Sequence, residues 1–370
     1  MPKFRFTEIA INSTEKKKPT EADKETYIGL EHLDSGTLTV SRWGSEVAPI
    51  GEKLLMKKGD VLFGKRRAYQ KKVGIAPFDG IFSAHGMVLR PREEVITKEY
   101  FPLFISSDYF LNEAIRISVG SLSPTVNWKD LKDLTFNIPT IEEQRRITPL
   151  VWAAIKAKNA YKTLIQRTDD LVKSQFIEMF ADEAKRVRLD ELCLHFGDGD
   201  WIESKDQSEE GIRLIQTGNV GNGEYKDKDD KARYISEETF IRLGCTEVFP
   251  GDILISRLPD PIGRACIVPE MPKSITAVDC TIVRLKADVL STFFVNFTKT
   301  PMYTMQIDSF TTGSTRKRIS RANLGSVMVP VPDLARQERF VSIAEQSDKS
   351  KLTSKFNQEV CICLQKPILK

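Results

Sequence analysis

Apolar residues recur along the chain with two different periods. Beyond Pro139, Ile147, Val151, Ala154, Tyr161, Ile165, Thr168, Val172 and Met179 follow one another in steps close to three and four. That is the period of a helix face, and a second row of Leu150, Leu164, Leu171 and Phe176 broadens it. Thr140-Ile141-Glu142-Glu143 opens the segment as a capping box, with Thr140 as N-cap and Glu143 at the third position. Running to about Phe180, such a helix would be roughly 60 Å long, more than one globular core needs. The stripe therefore predicts an antiparallel partner helix. Pro332-Asp333 opens a candidate, with a thinner stripe of Phe340, Ile343, Ala344, Leu352, Phe356 and Val360. Two residues disturb the picture. Pro149 should kink the first helix or move its start past that point. Arg336, at the third position of the second helix, leaves its capping box incomplete.

The segments preceding these helices follow a different rhythm. Gly59-Asp60 and Gly251-Asp252 read as turns before short β-branched runs. Residues 81–89 and 276–285 mix β-branched and polar positions, as half-buried strands do. Residues 100–117 and 292–307 read as helices with aromatic faces. Short strands between Gly, Pro, Asp and Asn clusters predict a compact mixed-sheet or barrel-like domain.

These features occur twice and in the same order. Phe4 to Ile9 resembles Val187 to Leu192, and Ile28 to Leu33 aligns with Ile215 to Val220. Gly59-Asp60-Val61-Leu62-Phe63 matches Gly251-Asp252-Ile253-Leu254-Ile255 at an offset of 192. The same offset pairs Lys65 with Arg257 and Lys72 with Arg264. Met87 to Arg90 meets Thr281 to Arg284, Gly120-Ser121 meets Gly313-Ser314, and Gln144 to Ile147 meets Gln337 to Phe340. The offset drifts slowly and the order never breaks, so the chain is a tandem duplication of one long unit rather than a solenoid of short repeats. The predicted class is α+β. Residues 1–139 form a first mixed α/β domain and 140–182 a central helix. Residues 183–332 form a second such domain and 333–370 a C-terminal helix that pairs with the central one as an antiparallel coiled coil.

Composition bounds the rest. The chain has 370 residues, 41% of them hydrophobic and 29% charged, which are globular proportions. No apolar run approaches the ~18–20 residues that would span a bilayer. The start lacks the apolar core of a secretory signal. Six scattered cysteines show no metal or redox spacing. The expectation is a cytoplasmic chain with reduced thiols and no membrane contact.

Catalytic chemistry is hard to find. His32, His85 and His195 lie far apart, and the other repeat has Asn219 and Asp279 in place of the first two. There is no phosphate loop of the G-x-x-x-x-G-K-[ST] type, and no Asn-Pro-Pro-Tyr stretch of an amino-methyltransferase. The glycine-rich 218–223 segment reads as a turn. Glu183 and Lys185 suggest a nuclease pair only by spacing, and a solvated helix end accounts for them. The expectation is no catalytic residue and no metal ligand in this chain.

Positive charge is more informative than the net +4. Lys53, Lys57, Lys58, Lys65, Arg66, Arg67, Lys71 and Lys72 stand against the single acid Asp60. Within this run, Lys65, Arg66, Arg67, Tyr69, Lys71 and Lys72 are candidate DNA contacts. Arg257 and Arg264 join them from the aligned loop, together with Arg316, Lys317 and Arg318 after Gly313-Ser314. Lysine and arginine bind phosphates, and arginine also reads guanine edges. Trp201 lies in a polar, loop-like segment and completes the set. A solubilising surface loop is the alternative for each basic run.

The duplication and long helices, with Tyr27 to Leu33, the two Gly-Asp strands, Gly313 to Ile319, Glu142 to Ile147 and Ser174-Gln175-Phe176, resemble the specificity subunits of type I DNA restriction–modification enzymes. The resemblance implies a non-catalytic chain whose two target recognition domains each read one half of a bipartite site on double-stranded DNA. It implies that the helices set the spacer and dock two methyltransferase subunits, which recruit restriction/translocase subunits. S-adenosylmethionine, ATP and Mg would belong to those partners, with no cofactor bound by this chain. Other readings are a specificity chain of a different methylation or restriction system, a non-DNA scaffold of two modules on a coiled coil, and a nuclease in its own right.

Overall fold

A computed structural model describes residues 1–259, 261–313 and 317–365, with the side chains of 358 and 360–365 excepted. Two compact units emerge. The first comprises residues 1–161 and 356–370, and the second residues 162–355.

Within the first unit, Ala10–Ser13, Met87–Pro91, Val61–Phe63 and Val73–Ile75 form an antiparallel sheet in that order. A second sheet runs Lys16–Lys17, Lys53–Met56, Gly80–Phe82, Tyr27–Ile28, with the last pair parallel. The second unit repeats the first sheet as Cys193–Asp198, Cys280–Leu285, Ile253–Ser256 and Ala265–Ile267. Its other sheet retains the parallel pair, Ile212–Ile215 with Ser274–Thr276. In each unit a short ribbon joins the start of the repeat to its end, Lys3–Arg5 with Thr135–Asn137 and Arg186–Arg188 with Met328–Pro330.

The duplication extends to individual hydrogen bonds. Asp60 accepts both arms of Arg90 at 2.8 and 2.9 Å and the backbone N–H of Lys57. Asp252 accepts both arms of Arg284 at 2.8 Å and the N–H of Phe249. These clamps hold the turns in which Gly59 and Gly251 take φ near +90° (90° and 88°), the left-handed region that glycine enters without a Cβ clash. His32 accepts the N–H of Gly29 through Nδ1, and Asn219 accepts that of Gln216 through Oδ1, both at 3.0 Å. The histidine-for-asparagine exchange thus preserves a turn.

Two expected elements are subdivided. Residues 81–89 contain the end of one strand and the start of another, in different sheets, because the chain turns at Ser83–Gly86. Residues 276–285 divide in the same way. Residues 100–117 hold two helices, Phe101–Ile105 and Asp108–Arg116, because the Ser107 hydroxyl caps the second by accepting the Phe110 N–H. Ser291–Phe297 and Pro301–Phe310 repeat the break, with proline opening the later helix where a lost N–H costs nothing.

The long helices form as the stripes predict. The central helix spans Ile141–Phe180, and Thr140 and Glu143 close the capping box. Pro149 lies inside it and does not displace its start. Val151 packs into the core of the first unit, and Val172, Phe176 and Phe180 into that of the second. The C-terminal helix spans Leu334–Gln365, with Asp333 accepting the Arg336 N–H. Within the second unit the helices run antiparallel. Arg336 pairs with Glu183 at 2.6 Å, Phe340 lies against Phe180 and Phe176, and Lys351 pairs with Asp169 at 2.7 Å. Arg336 therefore leaves its own capping box in order to bind across, and Glu183 is a structural tie rather than a solvated helix end. Beyond Ala344 the apolar stripe fails. Leu352 and Phe356 are exposed, while Lys351 and Ser354 are the more buried positions, because this face meets the acid Asp169.

Each helix is fastened to its unit by the same clasp. Gln144 is fully buried, accepts the Thr97 N–H, and donates to the carbonyls of Val95 and Pro139. Gln337 accepts the Leu290 N–H and donates to those of Asp288 and Pro332. The described cysteine side chains, Cys193, Cys245, Cys266 and Cys280, are free thiols in the second unit. Burial raises the thiol of Cys266 to about 12 and that of Cys280 to about 11.

Candidate nucleic-acid interface

The basic loop of the first unit is held open by its backbone. Arg67 and Lys71 adopt left-handed φ of 55° and 50°, and the Arg67 N–H donates to the Pro124 carbonyl. Val126 donates to the carbonyl of Lys65, and a bridge joins Arg66 to Thr125. The loop is thereby fixed against residues 119–126, and Arg66, Arg67 and Tyr69 are exposed upon it. Lys65 is half-buried. His85 lies in the same field, its pKa lowered by burial and then by the charges of Arg66, Lys65 and Lys53. Lys71 and Lys72 are otherwise engaged. Lys71 pairs with Asp108, and Lys72 donates to the Leu30 carbonyl at 2.7 Å.

The aligned cations of the second unit are not on the surface. Arg264 is 9% exposed and donates to the carbonyls of Val220, Thr217, Leu258, Pro259 and Pro261. It is a staple that gathers two turns, and these bonds leave its guanidinium nothing to offer a phosphate. Arg257 is 4% exposed, donates to the Val278 carbonyl at 2.7 Å, and lies 3.4 Å from Asp198. Both therefore leave the set of contact candidates. Arg264 and Lys72 nevertheless do the same work, since Thr217 and Leu30 are aligned residues.

The remaining candidates are scattered. Lys317 is exposed, and Arg318 is exposed but paired with Asp279 at 3.1 Å. Arg316 lies outside the described residues. Trp201 is 72% exposed beside Glu203 and Lys205. Among the other tryptophans, Trp43 meets Phe78 edge to face, Trp128 packs against Phe6, and Trp152 donates to the Glu99 carbonyl. Sequence reasoning missed the second unit's acids. Asp198 lies near both Arg257 and Arg321, and Asp279 faces Arg318. The available signal was that acids align with neutral or basic residues of the first repeat, as Asp279 does with His85.

A duplicated α+β unit, each copy fastened to a long helix and bearing its own polar loops, defines a class of two-module recognition proteins. Residues 4–160 and 181–361 both match the family model of the type I restriction modification DNA specificity domain. The chain belongs to that family and carries its domain twice. It is similar to the type I restriction enzyme EcoDI specificity subunit of Escherichia coli, with 24% identity over 186 residues. The match spans 49% of this chain and 41%, less than half, of that subunit. The fold is shared with a chain solved in a study of complex assembly and conformational transition of the type I R-M system, at a TM-score of 0.59 and 21% identity. That likeness covers 100% of this chain and 96% of the other. The type I restriction–modification S subunit of M. genitalium follows at 0.56 and 15% identity, covering 100% of this chain and 95% of that one. Among the described residues no helix is long and apolar enough to cross a membrane.

Proposed function

We propose that this chain is the non-catalytic DNA-recognition subunit of a type I restriction–modification complex in the cytoplasm. Each unit reads one half of a split site on double-stranded DNA, and the long helices set the spacing. The observation that carries this reading is one framework built twice with the same clamps and clasps, but with different loops and charges. A protein that must read two different half-sites needs that combination.

The helices also offer a place for partners. Leu150, Leu164 and Leu171 are exposed at multiples of seven residues along the central helix, a spacing that suits a partner's helices. Two methyltransferase subunits would dock there and bring the restriction/translocase subunits. S-adenosylmethionine, ATP and Mg would serve those partners and not this chain.

Methylome sequencing of the host tests the reading. Exchange of residues 187–332 for another family member's should change one half of the methylated motif. Lengthening the central helix by whole turns should change only the spacer. A motif unaltered by the exchange would overturn the proposal. A scaffold without DNA would show no DNA retention in a salt titration, and a nuclease would cut DNA when the purified chain is given Mg²⁺.

A further inference from the structure

A cavity of about 250 Å³ in the first unit is lined by Ser13, Thr14, Lys16, Lys65, Asn127 and Trp128, among others. Ser13 is only 6% exposed, and its hydroxyl meets no hydrogen-bond partner among the described residues. Glu52 also lines the cavity, but Lys16 holds it at 3.3 Å. No carboxylate pairs with the Lys65 ammonium among the described residues. Burial, and then the charge of Lys16, lower its pKa. A half-buried cation beside like charges, with an unsatisfied hydroxyl, is electrostatically incomplete.

The second unit shows what completes the arrangement. Ser13 lies opposite Val88 and Gly197 opposite Ile282, and those two partners lie opposite Leu62 and Leu254 of the matching Gly-Asp strands. Ser13 and Gly197 are therefore equivalent, and the next residues are Thr14 and Asp198. Val126 donates to Lys65, and Ile319 to Arg257, which makes Lys65 equivalent to Arg257 and Trp128 to Arg321. The Asp198 carboxylate lies 3.4 Å from Arg257 and 3.8 Å from Arg321. The second unit thus carries its own anion at this place. In the first unit the equivalent residue is the neutral, exposed Thr14.

We propose that the cavity of the first unit is a phosphate site, in which a DNA backbone phosphate takes the place that the Asp198 carboxylate holds in the second unit. Lys65 and Lys16 bind it, and Ser13, Asn127 and Trp128 help to wall it. The proposal rests on the DNA-recognition reading and adds the point at which the first unit grips the strand. Such a contact fixes register and leaves sequence to other side chains.

The test uses the full chain and a duplex carrying the host's methylated motif, titrated with salt. Thr14→Asp gives the first unit the internal carboxylate of the second. It should cut affinity about tenfold and lower the salt slope by about one, with no loss of melting temperature because Thr14 is exposed. Lys65→Gln should do the same, and Thr14→Asn should behave as the parent. If the parent shows a steep salt slope and Thr14→Asp leaves it unchanged, the cavity is not a DNA phosphate site, although the DNA reading stands. If the parent binds DNA without salt dependence, the phosphate site falls and the DNA reading stands; if it retains no DNA at any salt concentration, both fall. Inorganic phosphate is the second probe. Saturable binding that is lost in Thr14→Asp, beside an unchanged DNA slope, would overturn the DNA assignment in favour of a free anion.

Discussion

The loop that follows the Gly-Asp strand is built on one plan in both units and used in opposite ways. In the first, Arg66 and Arg67 stand exposed, Arg67 with a left-handed φ, while Lys71 pairs with Asp108 and Lys72 reaches back to the Leu30 carbonyl. In the second, Arg257 and Arg264 are both drawn inside: Arg264 spends its donors on backbone carbonyls, and Arg257 donates to the Val278 carbonyl beside Asp198. Residues that align between the copies are largely those that hold the framework: Asp60 and Asp252, Arg90 and Arg284, Gln144 and Gln337. Two modules that read different half-sites must differ where they touch DNA. On the proposed function, alignment would mark the scaffold and divergence the reading surface.

Substitutions at paired positions can break or sharpen this contrast. The largest effect is expected at the helix contacts. Phe340 is fully buried against Phe176, Phe180 and Phe293, whereas its counterpart Ile147 is only partly buried. Phe340→Ala should cost about 3–5 kcal/mol and Ile147→Ala about 2. Urea denaturation measures both, and equal losses would contradict the asymmetry.

Next come the staples. Arg264→Ala removes the donor shared by five carbonyls and should cost about 3 kcal/mol, against about 1 kcal/mol for Lys72→Ala. A smaller loss for Arg264→Ala than for Lys72→Ala would return Arg264 to the list of possible contacts. On the reading surface, Arg66→Ala with Arg67→Ala should leave stability unchanged, weaken DNA binding about tenfold, and flatten its salt dependence. Arg257→Ala should do the reverse, lowering stability with little change in slope. Filter binding at several salt concentrations separates the two.

The smallest effect concerns acid. Asp23 and Asp206 occupy equivalent turns. The Asp23 carboxyl is held down to about 2 from 3.8, first by the Lys17 ammonium and then by the Thr20 N–H and hydroxyl. Asp206 is lowered in the same direction, chiefly by Arg242. A depressed folded pKa stabilises above 3.8 and ceases to do so as pH falls through about 2. The stability gap between the parent and Asp23→Asn should accordingly be constant near neutrality and close over that acid window. A gap that widened with acid would refute the assignment.

The architecture was legible because it repeats. Ordered matches exposed the duplication, and the Thr140 and Asp333 caps marked both helix starts. The interface was less legible, for physical reasons. Nothing local to Arg264 announces that five carbonyls converge on it from turns more than forty residues away in sequence and from its own loop. Asp198 escaped comparison with Thr14 because a register shift between Cys193 and His195 moves the offset within that strand. The aromatic segments read as single helices because Ser107 and Pro301 act through caps, which periodicity does not see.

The cysteines lend themselves to a measurement. The sequence has none before Cys193, and Cys266 and Cys280 are fully enclosed. Only the thiolate alkylates, and a thiol raised to about 12 is ionised roughly once in 10⁵ molecules at neutral pH. Labelling at Cys266 must therefore wait for the second unit to open. Its rate, followed by mass spectrometry, would time the breathing of one module in the intact chain without any reporter being introduced.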